Sequence, residues 1–95
     1  MITGRIDRFE LSKKFIKAFQ KLTSGEQRRV NQALTTATVD LSHPALRSHE
    51  LKGNYAGTVS ISAGGDLRIH IHLIEEDDLT IAIVQSVGSH SQLYG

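Results

Sequence analysis

Asp66, Arg68, His70 and His72 occupy alternate positions of one segment. On an extended backbone all four side chains project to one side, about 7 Å between neighbours. A guanidinium holds phosphate oxygens, imidazoles exchange protons near neutral pH, and a carboxylate orients an imidazole, so the row contains the parts for moving protons around a phosphodiester. The same row is equally an ordinary wet strand in which Arg68 pairs with Asp66 or another acid. A metal site of His70, His72 and His90 is the weaker reading, because spacing fixes no carboxylate beside them, and neither metal nor cofactor is expected. Farther on, His90 and Tyr94 follow Gly88 and bring two more proton-exchanging side chains to the end of the last segment. A loop histidine and an apolar plug for the C-terminus would look the same.

The elements that must position these groups change period along the chain. Arg5 to Glu10 alternate weakly through Ile6 and Phe9, as a short edge strand would. Ser12 is a candidate N-cap, and Phe15, Ile16, Phe19 and Leu22 follow at helical spacing. Ser24 with Gln27 has the form of a capping box, and Val30, Ala33, Leu34, Ala37 and Leu41 continue a second helix to about Asp40, before Ser42-His43-Pro44 breaks it. From Tyr55 the period becomes 2, which predicts three antiparallel strands. A loop of Ala63 to Gly65 pairs Ile61 with Leu67 and Val59 with Ile69. A turn of Glu75, Glu76 and Asp77 sets Leu73 opposite Leu79 and Ile71 opposite Ile81. Arg68, His70 and His72 should then share the solvent face, with Ile69 and Ile71 under the helices. The fold class is α+β: a short strand and a two-helix hairpin on one face of a twisted antiparallel sheet, in the order β-α-α-β-β-β.

Length and composition set the bounds. The 95 residues suit one domain, 1–95, and the absence of cysteine excludes disulfide scaffolds, thiol nucleophiles and thiolate zinc sites. The longest apolar run is the four residues Ile81 to Val84, far short of the ~20 that span a bilayer. A cytoplasmic protein without a membrane partner is expected. The net charge of +1 hides a gradient: residues 1–52 carry ten Lys/Arg against five Asp/Glu, and residues 53–95 carry one against five. A basic half suits phosphate or an acidic partner, and it also suits a solvated helix face.

Two motifs, the run His49-Glu50-Leu51-Lys52-Gly53-Asn54-Tyr55-Ala56-Gly57 and the run Gly88-Ser89-His90-Ser91-Gln92-Leu93-Tyr94, flank a strand opened by Asp66-Leu67-Arg68-Ile69 and follow a basic helical hairpin. Over nearly its whole length the chain thereby resembles the RelE/YafQ branch of the RelE/ParE toxin superfamily. The resemblance implies the toxin of a toxin-antitoxin pair, an endoribonuclease that cuts mRNA on the ribosome, inhibits translation and uses no metal. Its partners would be a cognate antitoxin, in a higher-order toxin-antitoxin complex, together with ribosome and mRNA. The branch's histidines, aspartate and C-terminal aromatic correspond to His49, Asp66, His90 and Tyr94. We expect His90 and Asp66 as acid and base, Arg68 as charge stabiliser, Tyr94 as stacking or orienting group, His49 in support and His70 in reserve. Lys13, Lys14, Lys17, Lys21, Arg28, Arg29 and Lys52 would hold ribosomal RNA. The sequence departs from the branch where an Arg and, three residues later, a His are usual: here stand Val59 and Ser62. Two alternatives follow, a weak or inactive antitoxin-binding module and, less favoured, a ParE-like topoisomerase poison.

Overall fold

The computed structural model describes residues 6–53 and 57–94, the Tyr94 side chain apart. Asn54, Tyr55 and Ala56 of the first motif therefore lie outside the described residues. In chain order the elements are β1 (Arg8–Leu11), α1 (Lys13–Gln20), α2 (Ser24–Val39), a 3-10 turn (Pro44–Leu46), β2 (His49–Glu50), β3 (Thr58–Ser62), β4 (Leu67–Glu76), β5 (Leu79–Ser89) and α3 (His90–Tyr94). The strands form one sheet ordered β1-β5-β4-β3-β2, antiparallel except that β1 runs parallel to β5. The expected α+β class and helical hairpin are present. The two-residue strand β2 and the closing helix α3 extend the expected order, the latter where an irregular tail was anticipated.

Local chemistry explains the helix ends. Ser12 caps α1, its Oγ accepting from Phe15 N–H at 3.0 Å and donating to the Gln85 carbonyl at 2.8 Å, so one hydroxyl ties the helix start to β5. The capping box of α2 belongs to Thr23 and Glu26 rather than Ser24 and Gln27: Thr23 Oγ1 accepts from Glu26 N–H and Glu26 Oε1 accepts from Thr23 N–H. The acid at the third helical position satisfies the cap N–H and complements the helix dipole, which favours this frame. Gln27 instead donates to the Phe19 carbonyl.

A single hydrophobic cluster joins Phe15 of α1 and Val30, Ala33 and Ala37 of α2 to Val59, Ile61, Ile69, Ile71, Ala82, Val84 and Val87 of the sheet. Ile69 and Ile71 are fully buried, as expected, whereas Ile16 is exposed. Both hairpins differ from the expected register. The first pairs Ile61 with Ile69 and Val59 with Ile71, closed by an Ala63 to Leu67 backbone bond around Gly64, Gly65 and Asp66. Gly64 and Gly65, both at positive φ, hold the loop one position later than hydrophobic matching alone implies. The faces are kept because the slip is even.

In the second hairpin the slip is odd. Asp77 and Asp78 both adopt positive φ and form a two-residue turn, with Glu76 opposite Leu79 and Leu73 opposite Ala82. Ala82 and Val84 therefore face the core, and Ile81 and Ile83 face the other side. Beyond them the register shifts between His70/Ile71: Ile71 pairs with Val84 but His70 with Ser86, so Gln85 is the extra residue of a bulge that restores Val87 to the core. Because Ala82 is wholly buried, Ala82→Asp should lower the unfolding free energy by about 3 kcal/mol or more in urea denaturation. Tolerance of that change would restore the alternation expected from sequence.

Candidate active site

The backbone register assembles a transverse row on the sheet face opposite the main core. His49 of β2 pairs with Ser60 of β3, Ser60 with His70 of β4, and His70 with Ser86 of β5. Residues directly opposite in a sheet share a face, and adjacent strands lie about 4.8 Å apart, so two imidazoles flank one serine. Arg68, His70 and His72 do share a face, but its centre is not wet: His70 is 4% exposed and Ser60 0%. Ser62 and Thr58 are buried as well. Ser60 Oγ is a buried hydroxyl with no hydrogen-bond partner among the described residues.

Burial gives His70 its chemistry. Loss of hydration pushes its pKa below the ordinary imidazole value, and the positive charges of His49 and then Lys14 push it in the same direction. His70 is thereby held neutral at pH 7, able to accept a proton. His49 is exposed, and its Nδ1 stands 3.2 Å from the Arg47 carbonyl. Since a carbonyl only accepts, that bond puts hydrogen on Nδ1 and leaves Nε2 for proton exchange.

The other expected groups are distributed around this row. Arg68 Nη1 donates to the Gly65 carbonyl at 2.9 Å and the Leu67 carbonyl at 3.0 Å, so the guanidinium is engaged in closing the first hairpin. Ser62 Oγ accepts from Gly64 N–H at 3.1 Å and belongs to the same turn. Asp66 is exposed at that turn, and His90 is exposed at the start of α3. Leu67 pairs with Ser89, which brings Asp66 and His90 to one end of the sheet. His72 lies against Gly57, where an added Cβ would stand 2.9 Å from its Cε1. The Tyr94 side chain lies outside the described residues. Among the described residues no three His, Asp or Glu side chains converge as metal ligands.

Lys14 and Lys17 of α1 and its C-cap Lys21, with Arg29 of α2, line a cleft of about 1060 Å³ that is also lined by Asp66, His70, Ser86 and Gln92. Arg28 lies elsewhere on α2, in a shallow depression with Asn31 and Thr35; Lys13 and Lys52 are exposed outside the cleft. Sequence reasoning missed Ser60 as the bridge between the histidines, because the expected register set Ser60 opposite Arg68. It also missed that Lys14 faces His70. Val59 and Ser62 point to opposite faces, and Val59 is buried in the core, so an Arg at position 59 would enter the core rather than this site.

No known sequence family matches the chain, and no curated protein matches it. Solved structures do. YafQ from E. coli strain BL21(DE3) superposes with TM-score 0.68 at 17% identity, covering 97% of this chain and 100% of that one. A YoeB/ParE toxin from Agrobacterium tumefaciens gives 0.69 at 15% identity, over 87% and 98%. The E. coli DinJ-YafQ toxin-antitoxin complex gives 0.66 at 18% identity, over 97% and 100%. The chain thus has the fold of the RelE/YafQ-type toxins.

The depressed pKa of His70 has a stability consequence. The unfolded chain binds a proton near pH 6.5 and the folded one only below that value, so stability contributed by neutral His70 is complete above pH 6.5 and declines as pH falls towards the folded pKa. His70→Gln should flatten the acid limb of an unfolding free-energy profile below about pH 6.5. An unchanged limb would mean that His70 titrates as an exposed histidine.

Proposed function

We propose that this protein is the toxin of a toxin-antitoxin pair and an endoribonuclease that cuts mRNA on the ribosome. The observation that supports this most is the His49–Ser60–His70 row, in which a neutral, buried imidazole that lines a basic cleft stands across Ser60 from an exposed one. The shared fold adds to it, since the neighbouring structures are toxins, one of them solved with its antitoxin.

In this reading His70 takes the proton of an RNA 2′-OH, the 2′ oxygen attacks the adjacent phosphorus, and the bond from phosphorus to the 5′ oxygen breaks. His49 returns a proton to that leaving oxygen, leaving a 2′,3′-cyclic phosphate and a 5′-hydroxyl. Lys14 and the field of Arg68 offset the charge that builds on the phosphoryl oxygens. Asp66 and His90, at the α3 end of the sheet, border the substrate and orient it, and Tyr94 keeps the stacking or orienting role that the resemblance implies. Two imidazoles supply both proton transfers, so the proposed mechanism is metal-free. The partners proposed are an antitoxin whose bound segment covers the basic helices or a sheet edge, the ribosome and its mRNA.

Ribosome-dependent cleavage of a reporter mRNA tests the reading. His70→Ala and His49→Ala should each lower the single-turnover rate by on the order of 100-fold to 10,000-fold, the usual cost of a lost acid or base. Asp66→Ala and His90→Ala should weaken cleavage less. Full cleavage by His70→Ala with loss in His90→Ala would transfer the acid–base work to the α3 end. Wild-type protein that leaves mRNA intact but binds the product of its adjacent gene would favour the antitoxin-binding module.

A further inference from the structure

Lys17 and the α1 C-cap Lys21 follow Lys14 at a regular spacing that the reaction itself does not require. Lys14, Lys17 and Lys21 fall at i, i+3 and i+7 on one helix face. At 1.5 Å rise per residue they span about 10 Å along α1. All three line one cleft together with Arg29, whose guanidinium lies by Gly64 and Gly65. Pairing between β1 and β5 stops at Val84, so beyond that point the β5 edge faces this cleft rather than another strand. The Ser12 hydroxyl on the Gln85 carbonyl anchors the start of α1 at the bulge, which fixes the lysine row relative to β5. Ser86, Ser89 and Gln92 add polar groups to the opposite wall. Two carboxylates, Glu26 and Asp66, also line it, so the cleft carries four cations against two anions.

We propose that the α1–β5 cleft is a track for the phosphates of single-stranded RNA, leading the chain to His70 with Lys14 at the reacting end. The proposal rests on the endoribonuclease reading above and specifies where the substrate lies. It takes these lysines from the ribosomal RNA surface to the substrate itself. His70 is among the residues that line the cleft, and in the endoribonuclease reading the occupant presents a phosphodiester there. An acidic protein segment would fill the same charges without offering one.

Binding of a fluorescein-labelled, 2′-O-methyl oligouridylate, followed by anisotropy over a range of salt concentrations, reads the track directly. The 2′-O-methyl chain cannot be cut, so the result is independent of catalysis. Each of Lys14→Gln, Lys17→Gln and Lys21→Gln should reduce the slope of log affinity against log salt by about 0.7, one single-strand phosphate contact apiece. Arg8→Gln, which removes the same charge from an exposed pair with Glu10, should leave the slope unchanged. Thermal unfolding of each variant should match wild type, since the side chains are exposed. Equal slopes for all variants, or an equal fall in Arg8→Gln, would overturn the proposal. So would a polyglutamate peptide that binds with the same lysine dependence while oligouridylate does not bind. If the lysine-dependent slope appears but reporter mRNA stays intact on the ribosome, the endoribonuclease reading fails and the RNA track stands.

Discussion

The centre of strand β4, from Ile69 to Ile71, is buried on both faces, and the alternation from Leu67 to Leu73 constrains what packs around it. Ile69 and Ile71 go to the helices while Arg68, His70 and His72 go to the opposite side. Fully burying an isoleucine contributes about 1.5–3 kcal/mol, so two of them determine which side the histidines must take. The second face is then not free to be wet. With Ser60, Ser62, Thr58 and Ser86 buried around it, His70 sits in a polar layer that excludes much of the water an imidazolium would need.

Strand β5 accommodates that constraint by changing face midway. The turn at Asp77 and Asp78 places Ala82 and Val84 against the core, and without correction Ser86 would follow them and Val87 would point away. The extra residue at Gln85 reverses the alternation, returning Val87 to the core and Ser86 to His70. The bulge also turns the Gln85 carbonyl to the Ser12 hydroxyl. One inserted residue thus links the core, the histidine row and the position of the basic helix. Gly88 lies close under α3: an added Cβ there would stand 3.3 Å from Gln92 Cβ, a tight contact that glycine avoids.

The helical hairpin, the α+β class and the partition of β4 into apolar and polar faces were legible in the sequence because each rests on a period sustained over many residues. Capping shifted by one position because Ser24 and Thr23 are chemically alike, and only the reciprocal bond from Glu26 selects between them. The first hairpin slipped by an even step, which alternation cannot detect. The second slipped by an odd step because Asp-Asp is a less obvious positive-φ turn than Gly-Gly, and because a run as apolar as Ile81 to Val84 does not show which of its residues face the core. The site inherited these errors. His70 was in hand from the spacing, but its neighbours across the strands, Ser60 and His49, depend on register rather than on local pattern.

The central claim is that His49 and His70 act as an acid–base pair on RNA, and the pH dependence of single-turnover mRNA cleavage on the ribosome tests it most directly. The account predicts a rate that falls in an acid limb lying below the ordinary histidine range, reflecting a buried His70 that must be neutral to accept the proton. His70→Gln should leave a much slower reaction without that acid limb. A wild-type rate that climbs steadily with pH, or an acid limb that persists in His70→Gln, would contradict the claim.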